Sequence, residues 1–206
     1  MTTLNFPQDI PHVYRLVEES IDTSSESEEQ KLLDKVQVTM RLREGLLKTF
    51  IASGFPKTIN ALQHLSSATP DEVRAHLTNT PIRSEQSWEE VQDQRERGRA
   101  LFGKIYERHT HRILNNMHTF YPDLAQAALH QLYGPILSET SVINARETSL
   151  VVVAGLMAQD LPDQLRGHVY GAIHNGSTKD ELNRVEKLVG LLSSHYQVDY
   201  KPPSKL

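Results

Sequence analysis

Cysteine is absent from all 206 residues, which excludes disulfides, zinc–thiolate sites and every mechanism that needs a thiol. Strong charge of either sign is missing as well: the formal net charge is −4, with acidic and basic residues interspersed. Nothing in that pattern would gather phosphate backbones or anionic lipid, so no nucleic acid and no membrane partner is expected. No apolar run approaches the roughly 20 residues of a membrane span, and residues 1–10 lack a basic start followed by an apolar stretch, so no cleaved N-terminal signal is expected. Alternating strands and Asn-Gly or Asp-Gly hairpin turns are not found. There is no G-x-S-x-G elbow, dinucleotide glycine fingerprint or phosphate loop, and no internal repeat.

What is present is a set of apolar stripes at helical spacing, punctuated by proline and glycine. With 38% hydrophobic residues the chain can bury a core without metals or disulfides, and an all-α fold follows from the periodicity. Asp9 and Pro11 open a short helix through Glu19, and the polar run Ser20 to Ser27 reads as a linker. Leu32, Val36, Met40, Leu47, Phe50 and Ile51 mark a longer helix ended by Gly54, and Pro56 starts the next, to about Leu65. Thr69-Pro70-Asp71-Glu72 has the form of a capping box for a helix over 70–77. Trp88 to Met117 reads as a long charged helix with one break, and Pro122 starts another that is interrupted near Gly134-Pro135. Asn144 caps an apolar helix through Met157, whose Val151-Val152-Val153 also admits a strand. Asp160 and Pro162 open the next helix, which Gly176 closes. Thr178-Lys179-Asp180-Glu181 is a capping box for a last helix to about His195.

The chain finishes on Lys201-Pro202-Pro203 and then Ser204-Lys205-Leu206. Such a tripeptide with a free carboxylate is the address read by the peroxisomal import receptor, and two prolines ahead of it favour an extended segment that stands clear of the folded body. The expected location is the peroxisomal matrix, with the import receptor as a partner. Three segments are expected: an N-terminal helix and polar linker over 1–30, a helical domain over 31–196, and the tail over 197–206.

In the last third, Arg146-Glu147-Thr148 begins one helix and His168-x3-Ala172-x3-Gly176-x-Thr178-x2-Glu181 follows. Upstream come Arg97-Gly98-Arg99, Phe102-Gly103, Tyr106, Phe120-Tyr121-Pro122-Asp123-Leu124 and Tyr133-Gly134. This ordered series resembles the carboxymuconolactone decarboxylase family, to which the AhpD-like peroxidases also belong, over about residues 95–190. The resemblance implies an AhpD-like helical fold and a homo-oligomer. Two departures stand out. The segment 43–62, with Gly54-Phe55-Pro56 inside it, is similar to a hairpin that in the family follows the Thr-x2-Glu helix, so either the helix order is rearranged or an N-terminal copy of the half-repeat has been kept. The two cysteines of the peroxidase branch are replaced by Leu161 and Gln164, so thiol-dependent peroxide reduction is closed to this chain.

The remaining set is acid/base. The resemblance implies a proton relay carried by Glu147 and His168. Imidazole titrates near neutrality and a partly buried glutamate can be raised towards the same range. Arg146 is expected to pair with a substrate carboxylate, and Tyr133, Tyr170 and His174 to donate to a developing enolate. Neither a metal nor an organic cofactor is required. Each residue also has a purely structural reading: Glu147 completes a capping box with Asn144, His168 fits a packed core position, and His174 suits the last turn of a helix. His109-Thr110-His111 points its imidazoles to different sides of a helix, which is poor zinc geometry. Two functions stay open: a cofactor-free, decarboxylase-like enzyme acting on a small organic acid, lactone or acyl substrate, and a non-catalytic binding or assembly protein on the same fold.

Overall fold

The computed structural model describes residues 1–203; Ser204, Lys205 and Leu206, the expected targeting tripeptide, lie outside the described residues. Every regular element among the described residues is helical, so the chain is all-α. It divides into two compact units, Met1–Pro81 and Ile82 onward.

The first unit contains α1 (Ile10–Asp22), α2 (Glu28–Lys48), the single turn α3 (Phe50–Ser53), α4 (Phe55–Ala68) and the single turn α5 (Asp71–Arg74). Its core joins Ile10 and Tyr14 of α1 to Ala61 and Leu65 of α4, with Leu42 and Leu46 of α2 packed against them. The buried Tyr14 hydroxyl is satisfied by Thr39 Oγ1 at 2.8 Å, as a buried phenol requires. Lys35 of α2 reaches Asp22 at the end of α1 at 2.7 Å. Two sequence expectations are corrected here. Helix α1 runs three residues past Glu19, to Asp22. The capping box at Thr69 does not form: the N-cap of α5 is Pro70 without a side-chain cap bond, because the Thr69 hydroxyl donates back to Leu65 O at 2.9 Å. The helix expected over 70–77 is therefore one turn.

The second unit contains α6 (Trp88–Tyr106), α7 (Thr110–Phe120), α8 (Pro122–Ala127), a π-helical segment (Ala128–Leu137), α9 (Ala145–Ala158), α10 (Pro162–His174) and α11 (Lys179–His195). The Ser87 hydroxyl accepts from Glu90 N and starts α6. The expected break in the long charged helix falls at Glu107, whose φ of 43° turns the chain out of α6. A non-glycine residue in this region is uncommon and strained. The segment around Pro135 holds its place by π-type bonding, with Ser138 N donating to Tyr133 O at 2.9 Å and Arg83 donating to the carbonyl of Pro135. A proline removes one donor from the ladder, and the widened π-type turns carry the helix past it.

Helix α6 lies directly on the π segment because Gly98 has no side chain: a Cβ there would stand 2.6 Å from Gly134 Cα. Helix α9 is apolar nearly all round and central, with Val152, Val153, Leu156 and Met157 buried; Val151-Val152-Val153 is helix and not strand. The other two expected capping boxes are present, at Asn144 with Glu147 and at Thr178 with Glu181. No helix among the described residues is long and apolar enough to cross a membrane.

Candidate functional site

The centre of the second unit is built by α6, α10 and the π segment. Phe102 and Tyr106 stand one turn apart on α6, so their rings share a face. Phe102 packs edge-on against Tyr133 with centroids 4.8 Å apart. Opposite them, α10 offers Gly167 and Gly171, again one turn apart. A Cβ on Gly167 would lie 2.8 Å from Tyr106 Cε1, and one on Gly171 2.5 Å from Ile105 Cγ2. These glycines admit the side chains of α6 to the surface of α10, and the admission sets Tyr106 beside His168.

Three polar groups meet there. Tyr106 Oη is 3.2 Å from Tyr133 Oη and 3.3 Å from His168 Nε2, and Tyr133 Oη is 3.4 Å from the same nitrogen. His168 is 7% exposed and Tyr133 4%. Burial pushes the His168 imidazole down to about 4, so the ring is neutral at physiological pH. This corrects the expectation of an imidazole that titrates near neutrality: a charged ring would lose its hydration in this interior. Burial also raises Tyr106 and raises Tyr133 well above the ordinary phenol range. Both phenols therefore keep their protons, and a neutral imidazole stands in mutual hydrogen-bond reach of two neutral hydroxyls. With the proton on Nε2 the ring donates to a phenol; with the proton on Nδ1 the same nitrogen accepts from one.

The two tyrosines open on a groove of about 1120 Å³. Its wall includes Ile113 and Met117 of α7 and Leu124 of α8, and Asp163, Arg166, Gly167, Tyr170 and His174 present one face of α10 to it. Arg108 and Arg112 also border it. His168 does not line the groove; it lies behind the phenols. His174 closes one side, with Nδ1 3.1 Å from the Lys104 carbonyl and Nε2 3.6 Å from Glu107.

Of the residues singled out from the sequence, Tyr133, Tyr170 and His174 line the groove, and Tyr133 contacts His168. Glu147 stands at the start of α9, where its Oε2 accepts from Asn144 N at 2.9 Å, and it does not line the groove. Arg146 pairs with Glu181, joining the starts of α9 and α11. The Glu181 carboxyl is held below its usual range by the Thr178 N–H and hydroxyl and, more weakly, by Arg146. Tyr106, Arg108, Arg112 and Arg166 were missed as site residues. A signal for them exists in the spacing of Phe102 with Tyr106 and of Arg166, Tyr170 and His174, each set sharing a helix face, but spacing alone does not say which face meets a cavity. Among the described residues no group of three or more His, Asp or Glu side chains is placed to hold a metal ion.

No family model matches the chain, and no solved structure matches it. Peroxisomal protein 2 of Saccharomyces cerevisiae is 33% identical over 195 residues, covering 86% of this chain and 69% of that protein. Peroxisomal protein 2 of Schizosaccharomyces pombe is 34% identical over 165 residues, covering 78% of this chain and 72% of that protein. A third similarity is to the 4-carboxymuconolactone decarboxylase of Acinetobacter baylyi, 35% identical over 80 residues, which are 38% of this chain and 58% of the bacterial one. With an all-α fold, no thiol and two long matches to proteins of one name, this chain belongs to the peroxisomal protein 2 family, a peroxisomal carboxymuconolactone decarboxylase-like group.

Proposed function

We propose that the protein is a cofactor-free peroxisomal enzyme that moves protons to and from carbon in an organic acid, lactone or acyl substrate, with decarboxylation as its net reaction. The observation that carries this reading is the mutual contact of Tyr106 and Tyr133, which line an open groove, with His168 behind them. In such a decarboxylation the bond to the departing carboxylate breaks, its electron pair stays on carbon, and the adjacent carbonyl oxygen takes up the charge. Phenols that keep their protons are suited to donate to that oxygen. Carbon dioxide leaves and one proton is delivered to the carbon, for which the Tyr106–Tyr133–His168 chain offers a path. Glu147 enters as the second acid/base group that the family resemblance implies.

The test is deuterium incorporation from heavy water across keto acids, lactones and acyl thioesters. Wild type is expected to exchange a carbon-bound proton, and Tyr106→Phe and His168→Gln to slow that exchange by at least about tenfold. Glu147→Gln is informative because glutamine preserves a capping box: exchange lost with stability kept assigns chemistry to the carboxylate, whereas exchange kept leaves Glu147 as a cap. Exchange that survives both the tyrosine and the histidine substitution overturns the relay.

The second reading is a binding or assembly protein on the same fold. It is favoured by the engagement of Arg146 with Glu181 and of Glu147 in a cap. We further propose import through Ser204-Lys205-Leu206 and self-association of the chain; removal of the tripeptide should leave a fluorescent fusion in the cytosol, and sedimentation should show more than one copy per particle.

A further inference from the structure

The groove has a polarity that the proton-transfer reading does not use. Ile113, Met117, Phe120 and Leu124 from α7 and α8 give it apolar lining, and Phe120 leaves 76% of its surface open to water. A large exposed ring beside further apolar residues is the kind of surface that a ligand covers. The same lining carries three guanidinium groups, Arg108 just before α7, Arg112 in its first turn and Arg166 on α10, along with the carboxylates of Glu107 and Asp163. Among the described residues none of the three forms an ion pair with a carboxylate. Glu107, the acid nearest in sequence, instead faces His174 at 3.6 Å.

Arg108 and Arg112 also converge. Arg108 Nε is 3.4 Å from His109 Nε2, and Arg112 Nη2 is 3.4 Å from Nδ1 of the same ring. Two like charges one turn apart disfavour each other, and an anion between or beside them reverses the sign. Size points the same way. Sites for drug-sized ligands occupy roughly 300–1,000 Å³, and this groove, at about 1120 Å³, would hold a lone lactone ring with most of its apolar side still wet.

We propose that the groove binds an amphipathic carboxylate, its extended apolar chain laid along α7 and α8 and its anionic end held by Arg108, Arg112 and Arg166. This deepens the proposed function by naming its substrate class, and rests on it only for what happens after binding. Guanidinium forks suit a planar carboxylate, while Ile113, Met117 and Leu124 have no polar atom with which to select among chains. Recognition should therefore be strict for the charge and tolerant of the tail.

The experiment is calorimetric titration of the full-length protein with decanoate, kept below its aggregation concentration, against decanol and propionate. Decanoate is expected to bind one per chain, and decanol, which lacks the charge, and propionate, which lacks the tail, each at least about tenfold more weakly. The double substitution Arg112→Gln with Arg166→Gln, on exposed side chains whose loss leaves the core intact, should weaken decanoate by about tenfold or more and leave decanol unchanged. Ile113→Asp should weaken both. Decanol binding as tightly as decanoate, unchanged affinity in the arginine double variant, or no decanoate binding overturns the inference. Tyr106→Phe keeps the two proposals apart: arginine-dependent decanoate binding without exchange on any substrate removes the enzyme and leaves the site. Exchange on other substrates without decanoate binding does the opposite.

Discussion

His168 is neutral because of where it sits. Its pKa is lowered from 6.5 to about 4 by burial, so as pH falls the unfolded chain takes up this proton before the folded one does. The ring costs the fold nothing above about pH 7, and destabilises it progressively from pH 6.5 down to about 4, by on the order of 3 kcal/mol at the acid end. Urea midpoints measured along that range should fall less steeply for His168→Gln than for wild type. Tyr106→Phe removes one hydroxyl from a triangle and leaves Tyr133 with His168 at 3.4 Å. Its cost in stability should be only about 1 kcal/mol, readable by denaturant unfolding, so that any large loss of exchange in this variant is chemical. At this scale the sequence showed His168 and Tyr133 as candidates but gave Tyr106 no role. Position 106 is 62 residues from His168, and no local pattern announces a contact at that separation.

Helices carry the site by their crossings. Gly98→Ala would press a methyl to within 2.6 Å of Gly134 Cα, backbone against backbone, where neither side can yield. Destabilisation by about 2–4 kcal/mol is expected in denaturant unfolding. Gly167→Ala meets only the Tyr106 ring, which can swing away. That variant should stay folded and lose exchange, since Tyr106 leaves His168. The ends of α9 and α11 were legible in advance because a capping box is local: Asn144 to Glu147 and Thr178 to Glu181 each span one turn. Thr178→Ala is expected to cost about 1 kcal/mol by thermal or urea unfolding, and more than most caps because Glu181 also holds Arg146. Thr69 has the same local pattern and does not cap, since its hydroxyl bonds to Leu65 O; such competition for one hydroxyl is invisible in a motif. The π segment was legible only as a disturbance at Gly134-Pro135. Whether a chain answers a proline by breaking or by widening its turns depends on tertiary support, here Arg83, which donates to the Pro135 and Ile136 carbonyls near the end of the segment.

Two compact units meet at Pro81 in the chain, within an exposed stretch that contains Thr78, Asn79, Thr80, Pro81 and Ile82. A non-specific protease at low concentration should cut there first, giving a stable fragment that begins near residue 82, detected by mass spectrometry; an initial cut within α6 or α9 would contradict that division.

The sequence by itself determined that this protein is all-α, that it carries no thiol chemistry, where most helices begin, and that the stretch over about residues 95–190 resembles carboxymuconolactone decarboxylase. Those properties depend on composition and on interactions within one or two turns. The tertiary structure decided the rest: that His168 is neutral, that two phenols stand before it, that Arg146 answers Glu181, and that three other arginines border the groove. Proton affinity follows burial, and burial follows the way α10 receives α6 at Gly167 and Gly171. A glycine looks the same in a sequence whether a neighbouring helix needs its space or not.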